Sequence, residues 1–236
     1  ATHHNKPRLI LLANTAKPEV VEALNGTRPW LDERAEIVAE PEIRKLDRDA
    51  VQELPAADFA IVFGGDGTMM AQARNFIDLQ VPVIGVNLGN VGFLTEFTIN
   101  DLKKHWNAIV NDDCAISERV MIDVMVFNED ASDCRNDRLD MQRCKFQSVA
   151  FNDAVVTAGP PFHMIELELC IDPGRSQSTC TAFTGDGVIV ATPSGSTAYN
   201  LSANGPIVSP DVNALCITPI CPQSISFRPV VVSGDS

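Results

Sequence analysis

Apolar positions follow two different rhythms along the chain. From residue 7 to 112, short solid apolar runs alternate with stretches whose apolar residues recur at helical spacing. RLILLAN (8–14), AEIVA (35–39), DFAIVFGG (58–65) and VPVIGVN (81–87) read as buried strands. Lys17 to Arg34 and Thr68 to Leu79 read as helices, with Gly26 and Pro29 expected to shorten the first. INDLKKHWNAIV (99–110) reads as a further helix with Asn100 as its N-cap. Strand–helix alternation of this kind predicts an α/β domain with a mostly parallel sheet and helices on its faces.

After residue 113 the helical windows thin out. ERVMIDVMVF (118–127), KFQSVAFNDAVVT (145–157), HMIELELCID (163–172) and GVIVATP (187–193) alternate or run apolar in strand-sized pieces. They predict a β-rich, sandwich-like domain, antiparallel, with one short helix near Ser196–Ala203. The polar stretch 128–144 is expected to be an exposed hairpin excursion. The expected division is therefore an α/β domain over 1–112 and a β-rich domain over 113–236.

Composition narrows the function without naming it. The 236 residues are 45% hydrophobic and 21% charged, as in ordinary soluble globular proteins. No apolar run approaches the roughly 20 residues of a membrane span, and ATHHNKPR has no apolar signal-peptide core. The start at Ala1 fits removal of an initiator methionine. A net charge of −13 argues against nucleic acid as a partner, because the phosphate backbone needs a positive footprint. An anionic substrate would instead be gripped by backbone N–H groups, helix ends or a metal ion. The seven cysteines show no C-x-x-C pair and fit neither a disulfide framework nor a zinc site, which points to a reducing cytoplasm. The four histidines are scattered, so no histidine metal cluster is expected.

Three glycine-rich stretches carry the candidate chemistry. In the first, a strand ends in Gly64-Gly65-Asp66-Gly67 and Thr68 opens the next helix. In open α/β sheets ligands sit beyond the carboxyl ends of the strands, where free N–H groups at a helix start favour phosphate. No Gly-Lys-Ser/Thr follows and G-x-G-x-x-G is absent, so this is neither a Walker loop nor the dinucleotide fingerprint. Asp66 is either a turn or cap residue, or a group that holds a metal or takes a proton from an attacking hydroxyl. The second stretch, AFTGDGVIVATPSGSTAYNLSANGPIV (182–208), sets Thr184, Thr192, Ser194, Ser196, Thr197 and Ser202 among glycines. Its Ser194-Gly195-Ser196-Thr197 run suits phosphate or a base edge, and Tyr199 could lie against a planar ring. Its hydroxyls could equally serve only the turns. The third, GVNLGNVGFLTEF (85–97), has Gly89 and Gly92 for close backbone approach, with Phe93 either facing a ligand or packing inward. Asn152-Asp153 could face water or bind a ribose or amide.

Taken in order, NLGNVGFLTEF, FNDAVV and TGDGVIVATPSGSTAYNLSANGPIV resemble the NAD kinase family, and TPICPQSISFRPVVV (218–232) adds a further block. Gly-Gly-Asp-Gly alone is shared with lipid kinases and phosphofructokinases. The resemblance implies an α/β domain and a β-rich domain with NAD bound between them. It implies transfer of the ATP γ-phosphoryl group to the 2′-hydroxyl of the adenosine ribose of NAD, giving NADP, with a divalent metal such as Mg2+ on the triphosphate. On this reading Asp66 is the general base, and Gly64, Gly65, Gly67 and Thr68 position phosphates. NAD contacts fall on Phe93, Asn152, Asp153, His163, Asp186 and Ser194, and on Thr197, Ala198, Tyr199, Asn200, Leu201 and Ser202. No protein metal cluster and no membrane are implied, and a homodimer or homotetramer is. Gln223 stands where many members have His, and Thr184 where many bacterial members have Arg. Members usually continue past the position of Ser236, so closing strands are expected from a longer native chain or from a neighbour. A lipid kinase with the same glycine turn and a non-catalytic NAD(H)-binding module are the alternatives.

Overall fold

The computed structural model describes residues 6–89, 92–127, 142, 144–172, 179–224 and 226–236, so the excursion expected at 128–144 falls almost wholly outside the described residues. The chain divides into two compact units, Ala1–Ile116 and Ser117–Ser236.

The first unit is a parallel sheet covered on both faces. Strands β1 (Arg8–Ala13), β2 (Glu36–Ala39), β3 (Phe59–Phe63) and β4 (Val83–Val86) lie in the order β2-β1-β3-β4. Side chains alternate across a strand, so Leu9, Leu11, Phe59, Ile61 and Phe63 share one face. There they meet Val20, Leu24 and Leu31 of α1 (Pro18–Arg34) and Leu102 and Trp106 of α4 (Ile99–Val110). Ile10, Leu12, Ala60 and Val62 point the other way, onto Val51 of α2 (Arg48–Gln52) and Met69 of α3 (Asp66–Asn75). A strand buried on both faces has no polar alternation to show, which is why these segments read as solid apolar runs.

Several element ends differ from expectation. Helix α1 runs unbroken through Pro29. Loss of one N–H bond there is outweighed by burial of Thr27 and Leu31 and by the edge contact of Trp30 with Trp106, ring centroids 5.1 Å apart. Helix α4 is capped by Thr98 rather than Asn100, in a capping box that Asp101 completes. Helix α3 begins at Asp66, two residues before Thr68, and stops at Asn75.

Among its described residues the second unit is antiparallel. One sheet has the order β12-β11-β10-β7, built from β7 (Asp153–Thr157), β10 (Gly187–Ala191), β11 (Ala214–Ile220) and β12 (Val230–Ser233). Two strand pairs accompany it, β5 (Ile122–Phe127) with β6 (Cys144–Ala150), and β8 (Ile165–Ile171) with β9 (Thr179–Gly185). The segment 145–157 is two strands, broken at Phe151–Asn152. A 3-10 turn (Ser194–Thr197) and the short helix α5 (Tyr199–Ser202) stand where a single helix was expected. An α/β parallel unit and an antiparallel β-rich unit thus match the expected fold class.

One cysteine expectation fails. Cys170 and Cys180 are direct partners across β8 and β9 and form a disulfide. Only the strand register brings them together, and a ten-residue separation carries no such signal in the sequence. Among the described residues no helix is long and apolar enough to cross a membrane.

Candidate active site

The chain leaves β1 toward β2 through α1, and leaves β3 toward β4 through α3 on the opposite face of the sheet. Adjacent strands that depart in opposite directions open a crevice at their carboxyl ends. Gly64 and Gly65 follow β3 at this switch point, and Asp66 is the first residue of α3, after Gly65 as N-cap. Asp66 does not cap that helix. Its carboxylate faces the loop after β4 and accepts four hydrogen bonds from it. The Phe93 N–H donates to Oδ2 at 2.8 Å. The N–H groups of Leu94 and Thr95 donate to Oδ1 at 3.2 and 3.0 Å, and the Thr95 hydroxyl donates to the same oxygen at 2.8 Å. Burial alone would raise the Asp66 pKa. The Thr95 hydroxyl and the three N–H donors outweigh it and hold the carboxyl below its ordinary value.

Close approach explains the loop's glycine. A methyl group on Gly92 would stand 2.1 Å from Asp66 Oδ1, so a side chain there would displace the carboxylate. At Gly65 and Gly67 the situation is reversed. Neither has a positive φ, and an added methyl would meet no described atom within 4 Å. Nothing among the described residues requires glycine at either position. Phe93 lends its N–H to Asp66 while the residue stays 84% exposed.

In the second unit the candidate residues gather at the two ends of β10. At one end Asp153 pairs with Ala191, and the Asn152 carbonyl accepts the Thr192 N–H at 2.8 Å. Gly195 passes so close to that carbonyl that a methyl would lie 2.0 Å from it. Asn152, Asp153 and the Ser194–Ser202 segment therefore form one cluster. Burial pushes the Asp153 carboxyl up. Thr197, Tyr199, Leu201 and Ser202 are exposed, and Ser194 and Ala198 are half-buried. Asn200 is fully buried. Its amide donates to the Ser196 and Pro206 carbonyls and accepts from the Thr218 hydroxyl at 2.7 Å. Its side chain therefore holds the turn together, and its neighbours are the ones open to a ligand.

At the other end, Asp186 forms the turn between β9 and β10 and is exposed. Its carbonyl accepts the Ala158 N–H at 3.4 Å, where the loop toward His163 begins. His163 is exposed. The Asp186 carboxylate beside Cys221 holds the thiol above its ordinary pKa. Thr95, Asn87, Thr218 and Cys221 were not singled out from sequence. Each works through a partner 8 to 35 positions away, and only the Gly92-Phe93 neighbourhood of Thr95 hinted at a close approach.

Family models for the ATP-NAD kinase N-terminal domain and C-terminal domain match residues 10–114 and 151–236. The chain is 37% identical to the NAD kinase of Desulforamulus reducens over 96% of its own length and 75% of that protein. It is 36% identical to the NAD kinase of Acidobacterium capsulatum over 97% and 77%. The chain belongs to the NAD kinase family. Among solved structures, yeast NADH kinase complexed with NADH superposes with a TM-score of 0.75 at 26% identity, covering 98% of this chain and 70% of that one. An NAD kinase from Archaeoglobus fulgidus in complex with ATP gives 0.60 at 22% identity, over 96% and 77%, a likeness of fold. Matches on both halves of the chain set it with the NAD kinases and apart from lipid kinases that share only the glycine turn.

Proposed function

We propose that this NAD kinase transfers the γ-phosphoryl group of ATP to the 2′-hydroxyl of the adenosine ribose of NAD, with Asp66 as proton acceptor. The observation that carries the reading is the pair of glycines around Asp66. Gly65 and Gly67 are demanded by neither conformation nor packing, yet they flank an ionised carboxylate at a helix start on a topological switch point. That arrangement suits phosphate groups drawn against bare backbone, with the positive end of α3 facing them.

Each group then has a task. The ribose oxygen attacks the γ-phosphorus while its proton passes to Asp66, and the bond from phosphorus to the bridging oxygen breaks with its electrons staying on ADP. A carboxyl held below its ordinary pKa is ionised at neutral pH but is a weak base. It therefore takes the proton as the new bond forms, which a loose phosphoryl-transfer transition state permits. Gly64, Gly65, Gly67 and Thr68 hold the phosphates. Asn152, Asp153, Ser194, Thr197, Ala198, Tyr199, Leu201 and Ser202 hold one end of NAD. Asp186 and His163 hold the other, and Phe93 offers its ring.

A divalent cation such as Mg2+ would neutralise charge on the triphosphate. Both Asp66 oxygens already accept protein donors, and the one group of possible ligands among the described residues, Glu168, Cys170 and Cys180, includes a disulfide pair. The fit is to a cation carried mainly by the nucleotide. The reading is tested by incubating the chain with NAD, ATP and Mg2+ and following the product by phosphorus NMR. A new phosphomonoester resonance on the 2′ position of NAD is expected, and ATP consumption without it would refute the assignment.

A further inference from the structure

We propose that Thr95 and Asn87 form a directional hydrogen-bond relay that positions Asp66 and leaves Oδ2 as the oxygen that accepts the substrate proton. The proposal rests on the reading of Asp66 as proton acceptor.

The direction of the relay follows from donors and acceptors. The Gly89 N–H donates to Asn87 Oδ1 at 2.9 Å, and an N–H can be answered only by the amide oxygen. That fixes Asn87 Nδ2 on the other side, where it donates to Thr95 Oγ1 at 3.0 Å. Thr95 Oγ1 therefore accepts from Asn87, and its own proton goes to Asp66 Oδ1 at 2.8 Å. Thr95 is fully buried, so no water competes for that proton. Its methyl is seated against Gly85 of β4, where an added Cβ would lie 2.8 Å from it. The hydroxyl thus has one place to point.

The count at the carboxylate then separates its two oxygens. Oδ1 accepts from the Leu94 N–H, the Thr95 N–H and the Thr95 hydroxyl, which fills its lone-pair directions. Among the described residues, Oδ2 accepts from the Phe93 N–H alone. A second lone pair on Oδ2 is left for an incoming hydroxyl. Among the described residues, the groups that hydrogen-bond Asp66 are all neutral, three N–H groups and one hydroxyl. Asn87 and Thr95 touch neither reacting atom and are positioning residues.

The test is steady-state kinetics and pH profiles on the full chain for Thr95→Val, Thr95→Ser, Asn87→Asp and Asp66→Asn. Valine keeps the shape of threonine and removes the donor. Its kcat should fall roughly 10- to 100-fold while KM for NAD and ATP stays within about threefold, as expected when a reacting group is misplaced and binding is not. The acid limb of its kcat profile should move to higher pH, because the carboxylate has lost a stabilising donor. Thr95→Ser should restore both. Asn87→Asp keeps the acceptor for Gly89 but turns the Thr95 hydroxyl away from Asp66, so it should lower kcat in the same way. It also carries the test if Thr95→Val does not fold. Wild-type kcat and an unmoved acid limb in a folded Thr95→Val or Asn87→Asp protein would overturn the relay. So would a Thr95→Ser protein that fails to recover. An Asp66→Asn enzyme of wild-type kcat would instead overturn the reading of Asp66 itself.

Discussion

Gly67 and Gly187 belong to two copies of the same Gly-Asp-Gly tripeptide, and a methyl added to each meets opposite surroundings. At Gly187 it would stand 2.1 Å from the Val156 carbonyl oxygen, where β7 and β10 run side by side. At Gly67 it meets nothing within 4 Å. The second copy needs glycine to let strands close on one another, whereas among the described residues the first has no structural reason for it. Gly67 lies exposed in the first turn of α3, so Gly67→Ala should raise stability by up to about 1 kcal/mol in urea unfolding. The same change should lower kcat/KM for ATP at least tenfold, because the methyl occupies the path of a phosphate. Gained stability with unchanged ATP kinetics would remove the phosphates from this turn. Both tripeptides stood out in the sequence, but their difference in purpose did not. It depends on which backbone passes behind each glycine, and the carbonyl behind Gly187 comes from a strand some thirty residues earlier.

At the scale of elements, apolar rhythm was a good guide to existence and a poor one to ends. Strand β3 was visible because every position is buried and β1 because every position after Arg8 is, while α4 was visible because Leu102 and Trp106 recur on one face. The end of α4 was misread because Thr98 and Asn100 are both acceptable caps by residue type. Only the reciprocal bonds of Thr98 with Asp101 decide between them. Thr98→Ala should therefore cost about 1 kcal/mol of stability by thermal or chemical unfolding, while Asn100→Ala should stay within about 0.5 kcal/mol. Equal effects would mean that the box contributes nothing. Pro29 teaches the complementary lesson. A helix-breaking residue was overridden because Leu31 and Trp30 beyond it are anchored in the core. The disulfide between Cys170 and Cys180 was illegible for a related reason, since strand register creates the pairing.

For the molecule as a whole, a net charge of −13 stands against two anionic substrates, so no bulk positive field draws them in. Binding must then be local, through helix starts, bare backbone and hydroxyls. Those are the groups that the switch point after β3 and the Ser194–Ser202 segment present. The motif blocks were legible because they are contiguous in sequence. The relay through Asn87 and Thr95 was not, because its members become partners only when the loop after β4 folds back onto α3. The central claim is that Asp66 accepts the proton of the phosphorylated hydroxyl. Its most direct test is the rate of NADP formation by wild type and by Asp66→Asn, with NAD affinity measured in parallel by calorimetry. A fall in kcat of about 10²- to 10⁴-fold with NAD affinity largely kept is the predicted result. An Asp66→Asn enzyme that makes NADP at the wild-type rate would contradict the account.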